Sequence, residues 1–315
     1  MKKRRKRSAT PFLILAFLIG SIMAFYPTFA EYWNRFNQSQ AIVGYAESVA
    51  HMDVDAYAEI WENALEYNAR LAESGIEWMD RTAAQRNAYY EALNVDGSGI
   101  MGYVDIPKIN VSLPVYHGTE DSVLQTSTGH LEETSLPCGS RYATKAVENP
   151  LFGSHCVISG HRGLPRALLF TRLDELVQGD VFILTVLDQT LTYEVDRIRI
   201  VEPYDLSELM IEPGKDLCTL VTCTPYGVNT QRMLVRGHRV ENEKKTDIRV
   251  IADCVKIPPM FVAPYIAMPV LLILIIWMLF MTSGRRRARI ERERQEARRS
   301  VLGEEKTIRK SGFGR

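Results

Sequence analysis

Three residues suited to nucleophilic catalysis lie near predicted strand ends in the second half of the chain. Cys223 ends an apolar stretch and precedes Thr224-Pro225-Tyr226-Gly227, a turn-like sequence. A cysteine attacks through its thiolate and needs a base or cation nearby. His161, in a Gly-flanked loop, could be the base, and Arg232 could hydrogen-bond a developing oxyanion. The residues alone also allow a simpler interpretation, in which Cys223 is a small buried apolar residue and His161 an ordinary polar loop residue.

The number and spacing of the cysteines exclude some kinds of cysteine chemistry. The chain has five cysteines, an odd number that leaves at least one free thiol in an exported protein. No pair has C-x-x-C spacing, so we expect neither a zinc site nor thioredoxin chemistry, and no metal or cofactor. Cys218 and Cys223 lie five residues apart on one predicted strand, so they point to opposite faces and cannot line the same site.

Short strands are predicted between Ile100 and Val240, because β-branched and aromatic residues dominate the apolar runs there. The predicted strands are Met101–Ile106, Ile109–Val115, His155–Ser159, Val181–Leu187, Leu191–Val201, Leu217–Cys223 and Arg232–Val240. Asp188-Gln189-Thr190 is a candidate hairpin turn, and Ala167–Val177 a predicted helix. Many short strands with few helices indicate a closed barrel or a sandwich.

Residues 31–93 are predicted to be helical. This segment has no proline and only two glycines, and its apolar residues recur at helical spacing. Breaks are expected near His51–Asp55 and Ser74–Gly75. The turn-rich sequence Asn94–Gly99 separates the helices from the strands.

Two uncharged apolar segments flank this region. Residues 11–30 follow six consecutive bases, and residues 258–282 precede a basic tail. About 20 apolar residues cross a bilayer as a helix, so both segments are candidate transmembrane helices. The first is marginal in length and is also compatible with a cleaved signal peptide ending near Ala30.

Charge is segregated along the chain. The net charge is zero, but residues 2–7 carry +6, the tail from Thr282 onward +7 and the middle −13. Basic clusters beside membrane segments stay in the cytoplasm. We therefore expect a two-pass protein of the cell membrane, in contact with the lipid bilayer, with both termini cytoplasmic and the acidic middle outside. The acidic middle argues against nucleic-acid binding.

Several sequence motifs resemble those of sortases, the membrane-anchored cysteine transpeptidases of Gram-positive bacteria. Thr219-Leu220-Val221-Thr222-Cys223 is similar to the TLxTC signature, with Arg232 nine residues later and His161 62 residues earlier. Longer strings resemble class C sortases, which polymerise pilins. These strings are Gly102–Ile109, Gly129–Leu131, Thr134–Pro137 and Thr222–Gly237.

The resemblance implies a mostly β fold: a closed eight-stranded sortase-type barrel with an N-terminal helical segment and two flanking transmembrane helices. The corresponding boundaries are a basic N-terminus 1–10, a transmembrane helix 11–30, a helical and lid region 31–98, the catalytic barrel 99–242, a linker 243–257, a transmembrane helix 258–282 and a cytoplasmic tail 283–315.

The resemblance also implies roles for residues. Cys223 would attack the Thr–Gly bond of an LPXTG-type sorting signal, His161 would act as general acid and then base, and Arg232 would stabilise the oxyanion. His130 and Thr222 would be substrate-positioning residues, although Thr222 should point to the other side of its strand and could simply pack there. The partners would be pilins or surface proteins carrying the signal.

Two features depart from the class C pattern. The Asp-Pro-aromatic tripeptide of the family's lid is absent, and Trp78 and Asp80 offer similar chemistry in reversed order. They form a candidate lid, with an ordinary helix linker as the alternative. Cys138 stands where relatives usually have an apolar residue, and a disulfide between Cys138 and Cys156 is conceivable.

Three functions compete. The first is a transpeptidase that joins a sorting signal to a pilin lysine. The second is a sortase that attaches surface proteins to peptidoglycan. The third is a catalytically idle membrane scaffold, which the presence of Cys223, His161 and Arg232 disfavours.

Overall fold

The computed structural model describes residues 10–76, 82–140, 153–165 and 167–242, with isolated positions between 271 and 299. The chain divides into two compact units, one formed by residues 1–26 with 253–315 and the other by residues 27–252. In the described part of the chain, no helix is both long and apolar enough to cross a membrane. The predicted span at 258–282 falls almost wholly outside these residues, and both membrane helices remain predictions.

The N-terminal region contains three long helices. They are α1 (Thr10–Ala50), α2 (Val54–Ser74) and α3 (Ala83–Glu91). Asp53 caps α2 by accepting a hydrogen bond from the backbone of Asp55, and Thr82 and Gln85 form a capping box that begins α3. The breaks between the helices lie where the sequence predicts them.

Eight strands form a closed barrel in the order β1-β2-β3-β4-β7-β8-β6-β5. The strands are β1 (Ile100–Ile106), β2 (Val111–His117), β3 (Thr128–His130), β4 (Ser154–Gly160), β5 (Val181–Val186), β6 (Gln189–Val201), β7 (Asp216–Thr224) and β8 (Gln231–Val240). A one-turn helix, α4 (Asp121–Leu124), lies between β2 and β3. Closure leaves no strand edge unpaired. Of the two architectures that the sequence predicts, the closed barrel is confirmed and the sandwich is not.

The barrel strands alternate between an interior and an exterior face. On β7, Cys218 and Leu220 belong to the interior core, whereas Val221 packs against a smaller cluster outside it. The interior core also contains Ile158, Phe182 and many other apolar residues from all parts of the barrel. Because the side-chain period of a strand is two, Cys223 shares the exterior face of Val221.

The helices are fastened to the barrel by buried polar side chains. Tyr45 of α1 donates a hydrogen bond to the carbonyl of Met101 at 3.0 Å and accepts one from the backbone of Leu187 at 2.8 Å. Asn68 of α2 bonds both backbone groups of Leu136 and the carbonyl of Gly139. These contacts satisfy loop groups that would otherwise be buried without partners.

Two predictions about local structure were wrong. Residues 167–177 form a loop with a single 3-10 turn at Leu173–Glu175, because Leu169 has a left-handed φ of 38° that interrupts a helix. The hairpin turn lies earlier than predicted, at Leu187-Asp188, since Val186 pairs with Gln189. The short strand β3 was not predicted.

Candidate active site

The register of two parallel strands places His161 beside Cys223. Strands β4 and β7 pair with a constant offset of 62 residues, from Ser154 opposite Asp216 to Ser159 opposite Val221. His161 directly follows β4, and the same offset continued by two residues leads to Cys223. The hydroxyl of Thr222 donates to the carbonyl of Gly160 at 2.8 Å, which holds the two strands together immediately before both residues.

Arg232 lies on the other side of Cys223. Strands β7 and β8 are antiparallel, and Cys223 is directly paired with Arg232. Directly paired residues of antiparallel strands project from the same face with Cβ atoms roughly 5 Å apart. Cys223 therefore lies between Arg232, its partner on β8, and β4, the strand that His161 directly follows.

An apolar surface adjoins these residues on the exterior face of the sheet. Val157, Leu209 and Leu234 are buried there, and Val221 and Leu206 pack against them. The cluster joins strands β4, β7 and β8 to the loop 202–215, which connects β6 and β7.

The loop 202–215 is held by buried polar contacts. The guanidinium of Arg236 pairs with Asp196 at 2.8 Å and with Glu212 at 2.6 Å. The hydrogen bond with Asp196 is the main reason why the pKa of Arg236 is raised above its ordinary value. His155 contacts the carbonyl of Met210 through Nδ1 at 2.8 Å. These contacts fix the loop over the apolar cluster.

The His161 segment is held from its backbone. The amide of Phe170 donates to the His161 carbonyl at 3.2 Å. Gly160 leaves room for this arrangement, because a Cβ atom there would lie 2.7 Å from the Phe170 ring. The His161 side chain is 29% exposed, and its Nε2 atom lies 3.9 Å from Oδ1 of Asp121.

Arg162 connects the loop that carries His161 to the end of β7, the strand that carries Cys223. Its side chain is only 9% exposed and forms an ion pair with Asp174. Its Nη1 donates to the hydroxyl of Thr224 at 3.3 Å, and its guanidinium carbon lies 6.0 Å from the centre of the Tyr226 ring. Arg162, the residue after His161, is thus hydrogen-bonded to Thr224, the residue after Cys223.

Arg232 contacts the loop between β7 and β8. Its Nη1 donates to the carbonyls of Asn229 at 3.3 Å and Gln231 at 3.2 Å. A guanidinium has five N–H donors, so these two contacts leave capacity for a substrate carbonyl.

The predicted positioning residues are both buried. His130 is fully buried, with Nδ1 3.1 Å from the hydroxyl of Tyr89 and Nε2 2.7 Å from the carbonyl of Ser135. Thr222 is also buried and points away from the Cys223 side of its strand, as predicted. Trp78 and Asp80, the candidate lid, lie outside the described residues.

The other described cysteines are buried and free. Cys138 and Cys156 form no disulfide. Cys156 pairs across the strands with Cys218, whereas Cys138 accepts a hydrogen bond from Asn68 at 3.2 Å. Burial raises the pKa of the Cys138 and Cys156 thiols well above the ordinary value. Cys223 is the one partly exposed thiol among the four described.

Across the described ranges, no group of three or more His, Cys, Asp or Glu side chains is arranged to hold a metal ion.

Comparison with known proteins identifies the family. Residues 104–240 match the sortase domain. Sortase D of Bacillus subtilis (strain 168) is 31% identical over 160 residues, which cover 50% of this chain and 71% of that protein. This chain belongs to the sortase family.

Solved sortase structures resemble the fold closely. Sortase C1 of Streptococcus agalactiae has 50% sequence identity and a TM-score of 0.60, covering 65% of this chain and all of that one (100%). Sortase C of Streptococcus pneumoniae has 40% identity and a TM-score of 0.54, covering 64% and 97% of the two chains. The sortase described here is therefore a cysteine transpeptidase with class C structural neighbours.

The sequence did not predict two residues that lie near the site, Arg162 and Asp121. Arg162 had a signal, since it directly follows the candidate histidine, but nothing showed that it reaches Thr224. Asp121 had none, because α4 and β4 are brought together only by the pairing of β3 with β4.

Proposed function

We propose that this sortase cleaves an LPXTG-like sorting signal between Thr and Gly and joins the Thr carbonyl to a lysine of a pilin. The observation that carries the proposal is the strand register, in which Cys223 pairs with Arg232 and His161 directly follows β4, which pairs with β7 at an offset of 62 residues. This arrangement provides a nucleophile, a proton carrier and a permanent cation on one exterior face.

The first half-reaction forms a thioester. The Cys223 thiol gives its proton to His161, and the sulfur attacks the Thr carbonyl, so that the C–S bond forms as the carbonyl oxygen becomes an oxyanion. Arg232 suits stabilisation of that oxyanion, because it keeps its charge throughout and presents several donors. His161 then gives a proton to the departing glycine amine as the C–N bond breaks.

The second half-reaction transfers the acyl group. An incoming amine attacks the thioester carbonyl and loses a proton to His161, and the Cys223 thiolate leaves. An amine competes with water only if it is held near the carbonyl, because orientation contributes several kcal/mol. The product is an amide, which is an isopeptide bond when the amine is a lysine side chain.

The apolar cluster suits the donor peptide. A leucine and a proline precede the variable position of such a signal, and apolar side chains are stabilised by burial at roughly 25 cal/mol per Å². The partly exposed side chains of Val221, on the same strand face as Cys223, and of Leu206, in the loop 202–215, border this cluster.

The pilin lysine is favoured over a peptidoglycan amine by two observations. The structural neighbours of this chain are class C sortases, and the Streptococcus pneumoniae neighbour has been described in terms of its pilin substrate specificity. Attachment of surface proteins to peptidoglycan is the alternative.

The site of action is part of the proposal. The bases at residues 2–7 and in the C-terminal tail flank apolar segments, which supports a two-pass membrane protein with its barrel outside and both termini in the cytoplasm.

A competition between acceptors tests the function. The full chain is incubated with an LPXTG peptide, an excess of a lysine-containing pilin peptide and an equal amount of a peptidoglycan stem peptide with a free amine. We expect the lysine product to dominate in mass spectra and Cys223→Ala to form neither product. Dominance of the stem-peptide product would favour the alternative.

A further inference from the structure

The imidazole of His161 has one nitrogen without a partner. Its Nε2 atom is shielded from solvent and makes no hydrogen bond with any residue that the structure describes. The Oδ1 atom of Asp121 lies 3.9 Å away, too far for a direct hydrogen bond. A buried polar atom of this kind is costly unless another molecule pairs with it during function.

Asp121 is not committed to a structural role. Its side chain is 84% exposed, and its carboxylate accepts one long contact, at 3.4 Å, from the side-chain amide of Gln125. An exposed carboxylate near an imidazole contributes little to stability, because water screens the pair. The cation next to His161, Arg162, is already paired with Asp174.

The gap between the two groups fits an amine. The 3.9 Å between Oδ1 of Asp121 and Nε2 of His161 is a distance that one nitrogen atom bridges with a hydrogen bond of about 2.8 Å to each, once the His161 ring turns its covered Nε2 atom toward solvent. An alkyl ammonium has three N–H donors, which suits one acceptor of each kind. A carboxylate hydrogen-bonded to an ammonium also gains from the opposite charges.

We propose that Asp121 binds the ammonium group of the acceptor lysine and presents it to His161. This inference rests on the proposed function, and it names the residue that holds the second substrate. The ammonium gives one proton to Nε2 of His161, and the resulting amine attacks the thioester carbonyl. The C–N bond forms, the C–S bond breaks and the second amine proton passes to solvent water as the tetrahedral intermediate collapses. The Cys223 thiolate regains its proton from the His161 imidazolium.

The order of events explains why the carboxylate is exposed. The acceptor arrives from solvent as a cation after the donor peptide has been cleaved. A carboxylate beside the catalytic imidazole raises the local concentration of that cation, and salt should weaken the effect.

Two acceptors of different charge test the inference on the full chain. One is a lysine-containing peptide, which is cationic at pH 7, and the other is hydroxylamine, which is neutral there. Both compete for the thioester formed from an LPXTG peptide, and mass spectrometry gives the ratio of the two products. Glu120→Gln is the matched control, because it removes the same charge from the adjacent residue.

In Asp121→Asn we expect the ratio of lysine product to hydroxylamine product to fall about tenfold, the effect of losing one charged hydrogen bond. The ratio in Glu120→Gln should match that of the wild type. An unchanged ratio in Asp121→Asn overturns the inference, including the case in which both products fall equally because Asp121 only orients His161. A wild type that forms no thioester overturns the proposed function as well, so the two failures are distinguishable.

Discussion

Nη1 of Arg162 lies 3.3 Å from the hydroxyl oxygen of Thr224, to which it donates a hydrogen bond. The contact spans 62 residues of sequence, the same offset that separates His161 from Cys223. It joins the loop after β4 to the last residue of β7, at the positions next to the two reactive residues. The position of the His161 imidazole relative to the Cys223 thiol therefore depends on the side chain of Arg162.

Loss of this contact should slow catalysis without unfolding the protein. In Arg162→Gln we expect kcat/KM for thioester formation to fall roughly tenfold, since small displacements of reacting groups have large rate effects. Arg162→Lys should recover little of the loss, because lysine lacks the planar fork that reaches both Asp174 and Thr224. Burst kinetics with an LPXTG peptide measure the rate.

Thr224→Val is the matched control for the Arg162 prediction. It removes the hydroxyl acceptor and leaves the ion pair with Asp174 in place. Its rate should lie between those of the wild type and Arg162→Gln. Wild-type rates in all three variants would show that the contact has no positioning role.

Arg232 should matter for chemistry more than for binding. We expect Arg232→Lys to lower kcat for thioester formation by about 10²–10³ with a smaller change in KM, the range seen when an oxyanion donor is removed. Arg199→Lys, on the neighbouring strand β6, serves as the control because its side chain is 60% exposed. A large rise in KM with unchanged kcat would instead assign Arg232 to ground-state binding.

The described thiols should differ sharply in reactivity. Cys223 is partly exposed, whereas burial raises the pKa of Cys138 and Cys156 and leaves little thiolate at neutral pH. Iodoacetamide at pH 7.5 should modify Cys223 at least roughly ten times faster than the other two, as measured by peptide mapping. Comparable modification of Cys138 under native conditions would contradict the observed burial.

His155 should make stability depend on pH. Burial lowers the pKa of this fully buried imidazole below its ordinary value near 6.5, so the unfolded chain takes up a proton before the folded one does. Its contribution to the free energy of unfolding is fully present above about pH 6.5. It is lost as the pH falls from there toward the folded pKa, by up to ~1.4 kcal/mol per pH unit.

The measurement is urea unfolding of the wild type and His155→Gln at pH 7.5 and pH 5.5. The glutamine variant should be less stable at pH 7.5 and lose less stability on acidification. An identical pH dependence in the two proteins would show that His155 is not the titrating group.

Much of the fold could be predicted because strands and helices repeat their apolar residues locally. The bounds of β4, β7 and β8 were predicted to within one residue, and so was the opposite orientation of Cys218 and Cys223. Strand β3 has only three residues, too few for a period to be visible. The stretch 167–177 has apolar residues at helical spacing, yet they cover the barrel from a loop.

The site could be predicted only in part. Family motifs pointed to His161, Cys223 and Arg232; the structure pairs Cys223 with Arg232 and places His161 directly after β4, the other neighbour of β7. The contacts of Arg162 and Asp121 depend on pairing between distant segments, which no local pattern encodes. His130 matched a family motif, but its neighbours Tyr89 and Ser135 come from separate segments that bury it.

The most direct test of the account is the mass of Cys223 during turnover. The full chain is mixed with an LPXTG peptide in the absence of an acceptor amine, and the reaction is quenched in acid. The protein is then digested, and mass spectrometry gives the mass of the peptide that contains residue 223. We predict a mass increase equal to the acyl fragment ending in Thr, which disappears on adding hydroxylamine and is absent in Cys223→Ala. Cleavage of the donor peptide in Cys223→Ala at the wild-type rate, with no adduct at residue 223, would contradict the account.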